Sequence, residues 1–284
     1  MPIPWLGLRD PFPPVDEALT EPNGLLAAGG DLSPERLLDA YARGIFPWFN
    51  EDDPVLWWSP DPRMVLFPRE LHVSRTLRRT IRAGQFSVTL DRAFQAVVEG
   101  CAAPRPNQDG TWITEDMMSA YSRLAELGFG HSVETWEGAE LVGGLYGVAV
   151  GRIFYGESMF SRRSNASKVA LTYLTRQLER WSFTLIDCQM ATDHLASLGA
   201  RAIPRREFVR EVRAGIAQSA VPAPWRISLM TWCWKPSRWI RIVSARLRII
   251  RRRSFCGPNV WTSFASTSIC ISRNRSRTIW RACK

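Results

Sequence analysis

The chain contains no run of about 18 apolar residues, the length a membrane-crossing helix needs. Its first residues, Met1-Pro2-Ile3-Pro4-Trp5, lack the basic stretch before an apolar core that marks a secretory leader, so a cytoplasmic location and no membrane partner are expected. The 6 cysteines show no paired CxxC spacing, so no zinc site is expected. In a reducing compartment Cys101 and Cys188 stay thiols. Repeats and heptads are also missing.

Acidic residues are absent from one segment. Between Arg226 and Lys284 there are 12 Arg and 2 Lys but no Asp or Glu. Of the 37 basic residues 14 lie there, so the preceding 225 residues keep 23 against all 27 acidic ones. The body is mildly acidic, and the net charge of +10 comes from the tail. That tail also holds Cys233, Cys256, Cys270 and Cys283 and five tryptophans. An Arg/Ser/Trp/Cys mixture of this kind is what a GC-rich gene yields when read out of register. Residues 226–284 are therefore expected to be a non-native or disordered extension, with a nucleic-acid-binding segment as the rival.

The whole chain is 45% hydrophobic and 23% charged, the composition of a globular protein. Residues 1–63 are dense in Pro, Gly and Trp and read as a small N-terminal domain. Ser33-Pro34 starts a helix there and Gly44 stops it, with Leu37, Leu38 and Tyr41 on its apolar face. Residues 64–225 read as strand Met64–Phe67, a helix capped by Ser74, strand Gln85–Leu90, and a helix capped by Asp91. They continue with helix Glu115–Leu127, a hairpin turning at Glu137-Gly138, strand Arg152–Tyr155, a helix to about Trp181, and strand Phe183–Ile186. The plan is α+β or mixed α/β. Glycines in Gly143-Gly144-Leu145-Tyr146-Gly147 predict a bulge or a close ligand approach. On the Ser74 helix Arg75, Arg78, Arg79 and Arg82 share one side, a stripe that suits a phosphate backbone as well as plain solvent.

The stretch from Gly156 to Gln189 organises the chain. It presents two polar clusters, Gly156-Glu157-Ser158-Met159-Phe160-Ser161 and Asp187-Cys188-Gln189, at the ends of apolar strands joined through one helix. Strand alternation puts Asp187 and Gln189 on the same face, an acid beside an amide that can move a proton and orient a carbonyl. The hairpin followed by strand, loop, helix and strand is similar to acyl-CoA N-acyltransferases. Those cradle pyrophosphate on a glycine-rich loop, whereas Ser161-Arg162-Arg163-Ser164-Asn165-Ala166 has no glycine.

Ordered blocks then carry a closer likeness. Glu21-Pro22-Asn23-Gly24-Leu25-Leu26, Gly29-Gly30-Asp31-Leu32, Arg43-Gly44-Ile45-Phe46-Pro47-Trp48, Trp57-Trp58-Ser59-Pro60 and Gly110-Thr111-Trp112-Ile113-Thr114 resemble the bacterial leucyl/phenylalanyl-tRNA–protein transferases. So do Gly156 to Ser161, Asp187-Cys188-Gln189 and His194-Leu195-Ala196-Ser197-Leu198-Gly199. The resemblance spans roughly residues 16–215. It implies a catalytic domain similar to the acyl-CoA N-acyltransferase (GNAT) fold behind a small N-terminal domain, with no metal or CoA. It also implies transfer of Leu or Phe, and by shape Met, from aminoacyl-tRNA to the N-terminal amine of proteins beginning with Arg or Lys, which marks them for N-end-rule degradation.

By the same resemblance Asp187 and Gln189 form the catalytic pair, with Asp187 orienting Gln189 or acting as the direct base. Glu157 holds an amine. Leu145, Phe154, Met159, Leu171, Leu174 and Ile186 are expected to form the aminoacyl pocket. Trp48 and Trp112, helped by Tyr41, stack the terminal adenosine, and Arg75, Arg78, Arg79 and Arg82 meet acceptor-stem phosphates. The alternatives are an acyl-CoA-dependent N-acyltransferase and a noncatalytic RNA-binding protein.

Overall fold

A computed structural model describes residues 3–104 and 111–226. Residues 105–110, which include Gly110, and the whole tail expectation from residue 227 onward lie outside the described residues. The described chain falls within one compact unit.

The N-terminal residues build a four-stranded sheet from β1 (Trp5–Leu6), β2 (Leu25–Gly29), β3 (Phe46–Pro47) and β4 (Leu56–Trp58), in the order β1-β2-β4-β3. Helix α1 (Pro34–Ala42) starts as expected: Pro34 occupies the first turn and Ser33 Oγ accepts from the backbone N–H of Arg36 at 3.4 Å. Its buried face carries Leu37, Ala40 and Tyr41. Trp57 is fully buried, so packing accounts for it.

The larger sheet has seven strands: β5 (Arg63–Leu66), β6 (Ser87–Leu90), β7 (Gly130–Glu137), β8 (Glu140–Val150), β9 (Ile153–Ser161), β10 (Leu185–Gln189) and β11 (Arg201–Ile203). Their order is β11-β5-β10-β9-β8-β7-β6. Every pairing is antiparallel except β9 with β10. The crossover between those parallel strands is α5 (Ala166–Arg180), as a parallel pair requires. The other α-helices among the described residues are α2 (Arg75–Ala83), α3 (Phe94–Ala102), α4 (Glu115–Glu126), α6 (Asp193–Ser197) and α7 (Arg205–Ile216). The fold is mixed α/β.

Neighbouring residues on each strand point to opposite faces, and two apolar cores result. One holds Tyr146, Tyr155 and Leu185 with α3, α4, α7 and the N-terminal sheet, through Val97, Leu124, Phe208, Leu37 and Trp57. The other holds Leu145, Phe154 and Ile186 with α2 and α5, through Leu77, Leu171, Leu174 and Leu178. Each fully buried Leu or Phe contributes about 1.5–3 kcal/mol from removed apolar surface.

Several expectations are corrected. Gly156–Ser161 is not a cluster beyond a strand end; β9 runs through it, paired with β8 from Val150↔Ile153 to Gly143↔Ser161. The predicted bulge is present, between Tyr146 and Gly147, but the neighbour that demands glycine is protein rather than ligand. A Cβ on Gly147 would lie 2.1 Å from the Tyr155 carbonyl oxygen. Asp91 does not cap α3, whose N-cap is Ala93. Asp91 instead accepts from the backbone N–H of Ser132 at 2.9 Å, pairs with His131 Nδ1 at 2.8 Å and accepts from Trp225 N at 2.6 Å. Trp225 stacks on His131 with centroids 3.5 Å apart and closes the second core.

Candidate active site

Parallel strands β9 and β10 pair only as far as Tyr155↔Asp187, and then part. A cavity of about 330 Å³ opens beside Gly156 and Glu157 on β9 and Cys188 and Gln189 on β10. Because it sits at a break in the sheet, it draws on both cores. Leu145, Phe154, Met159, Leu171, Leu174 and Ile186, the six expected pocket residues, all line it, and all belong to or pack on the α5-side core. Glu157, Gln189 and Trp112 line it as well; Tyr146, Cys101 and Trp112 belong to or pack on the opposite core. The cavity thus has an apolar end and a polar end.

Glu157 owes its position to the bulge. Tyr146 opposes Ser158 and Gly147 opposes Gly156, which leaves Glu157 without a Cα partner on β8. A bulge re-aims one side chain, and here it turns a carboxylate inward. Tyr41 of α1 donates its hydroxyl to Glu157 Oε1 at 2.8 Å, and Tyr121 of α4 donates to Oε2 at 2.8 Å. The two phenol oxygens lie 2.7 Å apart, and Gln189 Nε2 donates to Oε1 at 3.2 Å. Burial pushes the Glu157 carboxyl up from 4.5 to about 7, while the phenol donors pull the other way. Tyr41 and Tyr121 are themselves held well above the ordinary phenol range by burial and by Glu157, so both stay protonated donors. The Tyr146 hydroxyl, also buried, has no partner among the described residues.

Asp187 is fully buried, as is Arg63 of β5. Arg63 Nε donates to Oδ1 at 2.8 Å and a terminal guanidinium nitrogen donates to Oδ2 at 2.6 Å, a two-pronged pair. The rings of Phe46 and Phe208 lie 4.6 Å from the guanidinium, and the Gly44 carbonyl accepts from it at 3.2 Å. Asp187 Oδ1 also accepts the backbone N–H of Gln189 at 2.9 Å.

These contacts alter the expected Asp187–Gln189 geometry. The register shifts between Asp187 and Gln189, and Gln189 takes a left-handed φ of 57°. Alternation therefore fails there: Gln189 lines the cavity and Asp187 does not. Asp187 holds the Gln189 backbone, not its amide side chain. Tyr41 is likewise no stacking face. It is fully buried, with its ring against Tyr155 at 4.6 Å and its carbonyl accepting from the Tyr155 hydroxyl at 2.7 Å. Trp48 is 39% exposed and sits edge-on to Trp58, and it does not line the cavity. Arg75, Arg78, Arg79 and Arg82 are all exposed on α2.

Residues that sequence reasoning gave no site role include Arg63, Tyr121, Tyr146 and Cys101. Arg63 carried a signal, a lone cation heading the apolar run Met64-Val65-Leu66. Cys188 lines the cavity with its thiol pushed up by burial, so it stays protonated. The β9–α5 loop has Asn165 at φ 68° in place of a glycine, and Ser161 Oγ accepts from the Ser167 N–H at 3.2 Å.

The sequence model of the family described as leucyl/phenylalanyl-tRNA protein transferase matches residues 65–213, and that of its N-terminal domain matches residues 30–61. A leucyl/phenylalanyl-tRNA–protein transferase of Nitrosospira multiformis is 64% identical over 211 residues, covering 74% of this chain and 91% of that protein. One of Nitrosomonas europaea is 62% identical over 202 residues, 71% and 86% of the two chains. One of Stutzerimonas stutzeri is 57% identical over 225 residues, 79% of this chain and 99% of its own. Among solved structures, a GCN5-related N-acetyltransferase from Kribbella flavida aligns over 60% of each chain at 13% identity and a TM-score of 0.31.

Proposed function

This chain belongs to the leucyl/phenylalanyl-tRNA protein transferase family, and we propose that it moves Leu, Phe or Met from aminoacyl-tRNA to proteins beginning with Arg or Lys. It is an aminoacyltransferase. The acceptor preference, a cytoplasmic location and the N-end-rule outcome belong to the proposal.

The observation that carries the reading is the two-ended cavity. An aminoacyl ester is already activated, so the protein has to position it and manage charge. The apolar end, walled by Leu145, Phe154, Met159, Leu171, Leu174 and Ile186, suits an apolar side chain that is unbranched at Cβ, aliphatic or aromatic, and Met159 adapts to either. At the polar end Glu157 and Gln189 receive an amine. Asp187, neutralised by Arg63, fixes the turn that aims Gln189 inward. Trp112 offers a face to the terminal adenosine at the cavity rim, and Trp48 a second, exposed one. The Arg75, Arg78, Arg79 and Arg82 stripe meets acceptor-stem phosphates. In this reading residues 1–63 are a small N-terminal domain that delivers Tyr41 to the site of a catalytic domain spanning 64–225.

The test is transfer of labelled Leu from Leu-tRNA to peptides beginning with Arg, Lys or Asp, using the full chain and residues 1–226 side by side. Transfer to the Arg and Lys peptides alone is expected, by both proteins. A folded full chain that transfers to none of the peptides overturns the reading.

A further inference from the structure

The Glu157 cluster contains one oxygen–oxygen contact more than it has protons to fill. Tyr41 Oη, Tyr121 Oη and the Glu157 carboxylate make three mutual contacts: Tyr41 to Oε1 at 2.8 Å, Tyr121 to Oε2 at 2.8 Å, and Tyr41 to Tyr121 at 2.7 Å. A phenol brings one hydrogen, and an ionised carboxylate brings none. Two hydrogens therefore serve three contacts. If both phenols point at the carboxylate, their own oxygens face each other at 2.7 Å with nothing between them. Both tyrosines are fully buried, so water cannot supply the missing hydrogen.

One added proton closes the ring. With Oε2 protonated, Glu157 donates to Tyr121, Tyr121 donates to Tyr41, and Tyr41 donates to Oε1. Gln189 Nε2 then gives Oε1 its second hydrogen, and each of the three oxygen–oxygen contacts holds one hydrogen. The ring is built to hold a single proton beside the polar end of the cavity, and Glu157 is the member that lines it.

We propose that Glu157, closed into a ring with the hydroxyls of Tyr41 and Tyr121, takes up the proton shed by the attacking amine and returns it to the leaving 3′ oxygen. This deepens the transfer reading and rests on it. The amine nitrogen forms the new C–N bond to the ester carbonyl carbon. The C–O bond to the tRNA 3′ oxygen breaks, and its electron pair stays on that oxygen. The proton passes from the nitrogen to Glu157 and on to the 3′ oxygen, which leaves as a hydroxyl, so no co-reactant is needed. Glu157 is the catalytic residue of this step, and Tyr41 and Tyr121 are positioning residues. Asp187 is the other carboxylate near the ring, and Arg63 has already taken both of its oxygens. The remaining titratable groups around the cavity are the hydroxyl of Tyr146 on β8, the thiols of Cys188 on β10 and Cys101 on α3, and the imidazole of His194 on α6. Tyr146 and Cys188 are held protonated by burial, burial and Lys168 lower His194 from its ordinary value, and Glu157 is the member of the ring that titrates near neutrality.

Steady-state transfer and infrared titration of the full chain test the proposal together. E157Q is expected to lower kcat by about 10²–10⁴-fold and to remove an acidic limb from the pH profile of kcat. Tyr41→Phe and Tyr121→Phe each lower kcat about tenfold, the equivalent of one hydrogen bond, with KM for both substrates within about twofold. A raised KM for the acceptor peptide with kcat unchanged in E157Q overturns the proposal, because charge pairing alone then explains Glu157. In the substrate-free wild type, a carboxylic-acid C=O band that E157Q lacks is expected to grow in as the pH falls through about 7. A Glu157 that stays ionised down to about pH 5 overturns the ring even where a variant fails to fold. A wild type whose band titrates but which transfers no amino acid overturns the proposed function and leaves proton uptake by the ring supported.

Discussion

Replacing Arg63 with Met removes the one cation that pairs with Asp187 among the described residues. Both side chains are fully buried, and their two contacts measure 2.6 and 2.8 Å. Breaking such a pair from one side leaves an uncompensated buried charge and costs about 3–5 kcal/mol. The lost cation–π contacts to Phe46 and Phe208 add about 0.5–2 kcal/mol each. For a domain of this size 1 kcal/mol corresponds to roughly 2–4 °C, so Arg63→Met is expected to melt about 10 °C or more below the wild type. Adding Asp187→Leu removes the stranded charge, and the double variant should recover a large part of the loss. Recovery stays incomplete because the Gln189 N–H then has no acceptor, at a cost of about 1–3 kcal/mol. Thermal melts of the two single variants and the double variant give the coupling energy directly. Transfer should fail in the double variant even where stability returns, since nothing pins the left-handed turn at Gln189. An Arg63→Met protein that melts within about 2 °C of the wild type refutes the reasoning.

Glu157 links stability to pH in the sense opposite to a surface carboxylate. Its folded value of about 7 lies above the ordinary 4.5, so the folded state binds more protons between those two values. Its contribution is fully present below about pH 4.5 and is lost as the pH rises through 7, by about 3 kcal/mol. E157Q should therefore gain stability relative to the wild type between pH 5 and pH 8, and a difference that does not change with pH in thermal melts refutes this. Leu174→Phe fills part of the 330 Å³ cavity and should lower use of Phe-tRNA about tenfold or more against Leu-tRNA in direct competition. Equal loss for both substrates argues that Leu174 is only core. Arg75→Gln and Arg79→Gln should each raise KM for aminoacyl-tRNA and flatten its dependence on log salt by about one unit per lost phosphate contact. An unchanged slope removes α2 from the tRNA surface.

Local chemistry was legible where the cause is local. Ser33 and Ser74 cap their helices because each hydroxyl can reach a backbone N–H three residues on, and each does. The hairpin at Glu137-Gly138 follows from alternation in the same way. Asp91 misled because an Asp ahead of a helix reads as a cap, while its backbone is left-handed and its carboxylate serves Ser132, His131 and Trp225, 40 or more residues away. Gln189 misled because alternation assumes an unbroken strand, and one bulge turns a side chain to the other face.

The polar machinery has no local signature. Tyr41 and Glu157 are 116 residues apart, Tyr121 and Glu157 are 36 apart, and Arg63 and Asp187 are 124 apart. No periodicity encodes a contact at such separations; only the folded sheet brings the partners together. The same fact couples folding to chemistry. Tyr41 comes from α1, which is built with the N-terminal sheet, while Tyr121 comes from α4 and Glu157 from β9. The proton ring therefore exists only when α1 is seated against the larger sheet, where the Tyr155 hydroxyl holds the Tyr41 carbonyl at 2.7 Å. Loosening that seat, for example with Tyr155→Phe, deletes no atom of the ring or the cavity wall. It should nevertheless lower kcat before it lowers overall stability, because a shift of Tyr41 by a fraction of an ångström opens the ring while the apolar cores on either side stay packed.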